Sequence, residues 1–167
     1  MHFIKSMLAA SAVVGTAIAG GSDFWATCND VHLDKISREE DAMVMERDSN
    51  STAPVVAMER ERKPTWELRA SCATEGLSHI TSTLNLDLCI AATDFGTLVA
   101  QDRGMMSENS VNCTIRPGTS SLRCDCYDYN TDTWPHATIN LNSFIGAHGG
   151  ILYCGPHFGR SVEHAFV

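Results

Sequence analysis

The sequence predicts an all-β domain made of two tandem copies of one unit, and three observations carry that prediction. The first is an internal repeat. Leu68-Arg69-Ala70-Ser71-Cys72, Ser82-Thr83-Leu84-Asn85-Leu86-Asp87, Ile90 and Gly96-Thr97-Leu98 return as Leu122-Arg123-Cys124-Asp125-Cys126, Ala137-Thr138-Ile139-Asn140-Leu141-Asn142, Ile145 and Gly150-Ile151-Leu152. The offset stays at 54 or 55, so each change is one small gap in a turn. The second is a period of two: Ile80, Leu84, Leu86, Leu88 and Ile90 alternate with Thr81, Thr83, Asn85 and Asp87, the pattern of a half-buried strand. The third is that no helical stripe appears in the body of the chain. A unit of about fifty residues is too short to bury a core alone, so the two copies must build one domain together.

The elements follow in order. Met1–Lys5 is a short basic start and Met7–Ala19 a small, apolar run ending in Ala17-Ile18-Ala19, an A-x-A cleavage site. Residues 1–19 therefore read as a secretory signal peptide, too short to span a membrane. The secreted product would be residues 20–167, a single domain with repeat one at about 23–103, repeat two at about 107–155 and a C-terminal tail at 156–167. Repeat one carries an excess of thirty-one residues between Cys28 and Cys72 relative to Cys113 and Cys126. That excess coincides with a charged insertion at 34–63, within which Ser37-Arg38-Glu39-Glu40 is a capping box for a short helix to about Asp48. The strand runs after it end in glycine turns, Asp94-Phe95-Gly96 and Gly149-Gly150, followed by short apolar strands at Thr97–Ala100 and Ile151–Cys154.

Charge and cysteine content restrict the chemistry. The formal net charge is -8, and outside the insertion the exported chain has five arginines and no lysine. Such a surface cannot neutralise phosphates, which excludes nucleic acid and an anionic membrane face as partners, and no later stretch is long enough for membrane insertion. Seven cysteines in an exported chain are a disulfide framework. Cys124, Cys126, His136, His148, Cys154 and His157 lie close in sequence, but zinc sites favour Cys-x2-Cys knuckles over Cys-x-Cys, so no metal and no cofactor is expected. An enzyme is disfavoured as well. No serine sits in a Gly-x-Ser-x-Gly elbow, and carboxylates such as Asp125 and Asp128 in a shallow pocket lack the burial that raises a general acid.

One ordered set of residues resembles a known family. Phe24-Trp25-Ala26-Thr27-Cys28, Leu68 to Cys72, Leu84 to Ile90 and Gly96 to Leu98, repeated as Cys113, Leu122 to Cys126, Ile139 to Ile145 and Gly150 to Leu152, is similar to the cyanovirin-N homology family of lectins, in particular to secreted fungal members. The resemblance implies a cyanovirin-N-like fold with pseudo-twofold symmetry, in which strands are exchanged so that each half contains pieces of both repeats. It implies a disulfide within each repeat, Cys28 with Cys72 and Cys113 with Cys126, which leaves Cys89, Cys124 and Cys154 over. It also implies a non-catalytic lectin for mannose-type oligosaccharides or glycoproteins, as a monomer or a domain-swapped dimer, with a shallow metal-free pocket at each end.

Carried over residue by residue, the second-repeat pocket takes Asp94, Ser107, Glu108, Asn112, Asp128 and Asn130. The first-repeat pocket takes Thr27 and Glu75, with Asp23, Ala26, Ala73 and Gly149 around them. Short carboxylate, amide and hydroxyl side chains are the chemistry that recognises vicinal sugar hydroxyls. Asn50 heads a glycosylation sequon in the insertion, and a second, Asn112-Cys113-Thr114, adjoins the pocket. The competing reading is a secreted protein of the same fold that acts through protein contacts or the charged insertion.

Overall fold

The computed structural model describes residues 23–37, 64–76 and 78–162. The signal peptide, the capping box beyond Ser37, Asn50 and the end of the tail lie outside the described residues. Strand β1 (Cys28–Ile36) pairs antiparallel with β2 (Thr65–Ala73), and β2 with β3 (His79–Asn85). The hairpin of β4 (Ile90–Ala92) and β5 (Leu98–Ala100) follows. Repeat two mirrors this order with a sheet of β6 (Ser110–Ile115), β7 (Ser121–Cys126) and β8 (His136–Asn140), then a hairpin of β9 (Ile145–His148) and β10 (Ile151–Cys154). Two short strands, β11 (His157–Phe158) and β12 (Arg160–Ser161), close the described chain. β12 adds to the free edge of β3.

The halves are exchanged as expected. β10 packs on β3, where the Leu152 amide donates to Ser82 Oγ at 3.0 Å, while β5 packs on β8 and Phe95 bridges Asp128. Each hairpin thus completes the other repeat's sheet. The turn glycines make this possible. Gly96 and Gly150 both have positive φ, at 67° and 84°, and a Cβ would meet Pro135 and Asp128 at the first and Ile80 and Thr74 at the second. The core between the layers is symmetric too, with Leu68, Leu84, Leu122 and Leu152 fully buried beside Phe24, Met106 and Phe144.

Two departures from the alternating pattern have local causes. The strand predicted through Ile90 ends at Asn85, because the Asn85 side chain accepts the Asp87 amide at 2.9 Å and caps a 3-10 turn over Leu86–Leu88. Asn140 does the same for Asn142 at 3.1 Å, capping a turn over Leu141–Ser143. Further upstream, Asp34, Lys35 and Ile36, read as the start of the insertion, are the last residues of β1, paired with Glu67, Trp66 and Thr65.

The second-repeat disulfide must be corrected. Cys28 is bonded to Cys72 as expected, but Cys113 is bonded to Cys124 and not to Cys126, and Cys89 is bonded to Cys154. The reason is register. Cys28 faces Cys72 across β1 and β2, and the residue facing Cys126 across β6 and β7 is Ser110. Cys113 stands three residues later, after a bulge, and matches Val31. The bond Cys113–Cys124 therefore fills the place that Val31 and Ala70 hold in repeat one. Cys126 is left unpaired and fully buried.

Candidate functional site

The surface at the second-repeat end is assembled by the turn after β7 and the turn between β4 and β5. Asp128 folds the first of these: its carboxylate accepts the Asn130 amide at 2.8 Å, and its own amide donates to the Thr133 carbonyl at 2.9 Å. Hydrogen bonds from Asn130 and Thr131 hold the Asp128 carboxyl below its ordinary range, the Asn130 backbone amide being the largest cause. The Tyr129 amide donates to the Asp94 carbonyl at 3.0 Å, which fixes the two turns to each other. Asp94, Asp128 and Asn130, three of the predicted site residues, are thus brought together.

Aromatic rings dominate what lies around them. The Tyr127 ring stands edge-on to Tyr129 at 4.7 Å between centroids and is tilted against Trp134 at 5.1 Å. Tyr129 and Trp134 are 57% and 48% exposed and Phe95 is 70% exposed, so large rings face solvent here where a core would be expected to take them. The Tyr129 hydroxyl donates to Asn109 Oδ1 at 2.9 Å, and the Tyr127 hydroxyl donates to Asp132. That bond raises the Tyr127 phenol above its ordinary value.

Other predicted residues are placed differently. Ser107 is buried, and both its amide and its hydroxyl donate to the Asp87 carboxylate, so it pins repeat two to the 3-10 turn of repeat one. The Trp25 amide makes the symmetry-related bond to Asn142 Oδ1 at 3.1 Å, which marks this as a structural contact of both halves. Asn112 sits in the β6 bulge and donates to Asp125 at 3.0 Å. Asn112 and His136 together hold the Asp125 carboxyl below its usual range, with Asn112 the larger cause. The residue just before β6 is Asn109, which sequence reasoning missed because it counted from Cys113.

Glu108, Asn112 and Trp134 line a cleft of about 450 Å³ whose other wall is Lys35, Pro64 and Trp66. The ends are unequal. Thr27, which donates to the Phe24 carbonyl at 3.3 Å, matches Asn109, while Glu75 stands exposed where Tyr129 stands at the other end. Ala73 and Thr74 replace Tyr127 and Asp128, and His79 replaces Trp134. The run Tyr127-Asp128-Tyr129 after Cys126, set against Ala73-Thr74-Glu75 after Cys72, was the signal that distinguished the ends. Among the described residues no group of three His, Cys, Asp or Glu side chains is placed to hold a metal.

Comparison with known proteins places this geometry. The chain superposes on the solved structure of the CVNH protein of Gibberella zeae at a TM-score of 0.53 with 19% identity, covering 80% of this chain and 97% of that one. It superposes on that of T. borchii at 0.51 with 19% identity, covering 80% and 99%. A MoCVNH3 variant, solved in complex with (N-GlcNAc)4, gives 0.56 with 15% identity, covering 81% and 98%. No curated protein matches the sequence. The family model of the CVNH domain matches residues 49–153, and the chain therefore belongs to the CVNH family.

Proposed function

We propose that the protein is a secreted, non-catalytic lectin whose working site is the second-repeat end. The observation that carries the reading is the pair of exposed rings, Tyr129 and Trp134, joined by the half-buried Tyr127 and set beside the Asp128 carboxylate and the Asn109 and Asn130 amides. A pyranose presents an apolar C–H face and a rim of hydroxyls. Exposed rings receive the first, and short carboxylate and amide groups receive the second. The first-repeat end has the hydroxyls of Thr27 and Thr74 and the Glu75 carboxylate, but lacks the rings. It contributes little.

The ligand proposed is a mannose-type oligosaccharide, free or on a glycoprotein, in keeping with the family resemblance. A second reading, oligomers of N-acetylglucosamine, is favoured by the rings themselves, because a flat, all-equatorial sugar offers the broader apolar face. The ligand in the solved MoCVNH3 variant is of that kind.

Titration calorimetry with both sugar classes tests the proposal. Tyr129→Ala should weaken binding of the preferred glycan at least tenfold, about 1.4 kcal/mol, because a ring that stacks on ligand is worth roughly 1.5–3 kcal/mol. Folding stability should change by about 1 kcal/mol or less, since Tyr129 is exposed and loses one hydrogen bond. Glu75→Ala should leave affinity unchanged. Binding should also be level from pH 7 to pH 5, because the Asp128 carboxyl, held below its ordinary range by the Asn130 amide, stays ionised across that window. A broad glycan array with no bound sugar would overturn the lectin reading and leave the protein-contact alternative.

A further inference from the structure

The cleft beside Trp134 exists because the repeats differ. In repeat two the β6–β7 hairpin closes early, with the Arg116 amide donating to the Ser121 carbonyl. In repeat one β1 and β2 run on past the equivalent position, through Asp34–Ile36 and Thr65–Glu67. These extended arms carry Lys35, Pro64 and Trp66 to one wall of the cleft, and Glu108, Val111 and Trp134 form the other. The other end of the molecule has neither the arms nor a tryptophan at the position of Trp134.

We infer that this cleft is a second subsite, which takes the inner units of a linear oligosaccharide whose terminal unit lies on Tyr129. The inference rests on the carbohydrate reading of that end and extends it. Three features support it. A volume of about 450 Å³ lies within the range of roughly 300–1,000 Å³ typical of small-ligand pockets. Trp134 lines the cleft and is also the last ring of the series that runs through Tyr127 to Tyr129, so a ligand crossing Trp134 passes from one site to the other without leaving aromatic surface.

The polar groups suit a neutral ligand. Lys35 Nζ lies 5.9 Å from the centre of the Trp66 ring, one cation held against an aromatic face, and the opposite wall offers one carboxylate, Glu108, and the Asn112 amide. Among the described residues the cleft carries one charge of each sign, which discriminates against anions and cations alike, and its hydroxyl-binding groups fit a polyol.

The experiment is titration of the full chain with the disaccharide and the tetrasaccharide of mannose and of N-acetylglucosamine. The tetrasaccharide of the preferred sugar should bind at least tenfold tighter than its disaccharide. Val111→Trp fills the cleft from an exposed strand position, Val111 being 42% exposed, and should abolish that gain while leaving disaccharide affinity within twofold. Lys35→Ala, also at an exposed position, should cut the gain at least threefold, so the test does not depend on one variant folding. Equal affinity for both lengths in the unmodified protein overturns the subsite alone, as does a gain that survives both substitutions. Binding of no saccharide of either length overturns the subsite together with the lectin reading.

Discussion

Asp30 and Asn112 adopt the same rare backbone conformation, with φ of 52° and 51°, and that pair of residues decides the covalent structure of the second repeat. Each creates a bulge two residues after the first position of its strand, and so makes Ser110 the counterpart of Cys28. Asn and Asp are the side chains that tolerate this region best, yet nothing in a list of cysteine positions reveals it. Cys126 consequently faces a serine, and burial, aided by the nearby Asp125 charge, pushes its thiol up to about 11.

A single change should restore the missing bond. Ser110→Cys places a thiol where Cys28 lies relative to Cys72, and oxidative refolding should join position 110 to Cys126. The closure of a loop of that length is worth roughly 3 kcal/mol. The substitution also removes the Ser110 hydroxyl bond to the Met106 carbonyl, a loss of about 1 kcal/mol. Thiol titration in denaturant should fall from one reactive group to none, and peptide mapping should retain Cys113–Cys124. Two reactive thiols, at position 110 and at Cys126, would show the register to be wrong. For the binding site the legible part was similarly chemical rather than positional. Asp94, Asp128 and Asn130, read from the repeat, lie together at one end, whereas the bonds of Ser107 to Asp87 and of Asn112 to Asp125 were not legible, because hydroxyl and amide types do not show which partners the fold gives them.

Among the elements, the hairpins and sheets were legible because their signals are local: alternation sets each strand's face, and Gly96 and Gly150 set each turn. The 3-10 turns were not, because Leu86, Leu88 and Leu141 keep the strand's periodicity while the Asn85 and Asn140 side chains redirect the backbone. The charged insertion is the other case. Ile36 and Thr65 are paired across β1 and β2, so the segment between them begins and ends at hairpin spacing. Replacing residues 38–63 by a short Gly/Ser turn should therefore leave a cooperatively folding domain, since loop closure grows only as the logarithm of length and each doubling costs about 0.6 kcal/mol. Equilibrium unfolding in urea checks this. A broad, non-cooperative transition would show that the segment contributes to the core.

At the scale of the whole molecule, the feature no repeat-by-repeat reading could supply is Cys89–Cys154. It joins the end of the first 3-10 turn to the end of β10, and it is the one disulfide that links repeat one to repeat two. Each hairpin already lies on the other repeat's sheet, so the two repeats hold each other through packing and through this bond, whose loop closure is worth about 4 kcal/mol. The geometry constrains the choice between monomer and domain-swapped dimer. If two chains exchange repeats about the connecting segment Gln101–Met105, the Cys89 of one chain meets the Cys154 of the other, and the exchanged dimer becomes covalent. Cys28–Cys72 and Cys113–Cys124 stay within their repeats, and Cys126 is buried, so no other disulfide reports on exchange. Refolding at high protein concentration in a glutathione buffer, followed by size exclusion and electrophoresis without reductant, should thus give dimers that run as dimers and fall to monomers on reduction. With Cys89→Ser and Cys154→Ser combined, stability should drop by about 4 kcal/mol, and any dimer should run as a monomer in both conditions. A dimer of the unmodified chain that separates in denaturant without reductant would mean that its interface lies elsewhere on the surface and that the repeats remain paired within one chain.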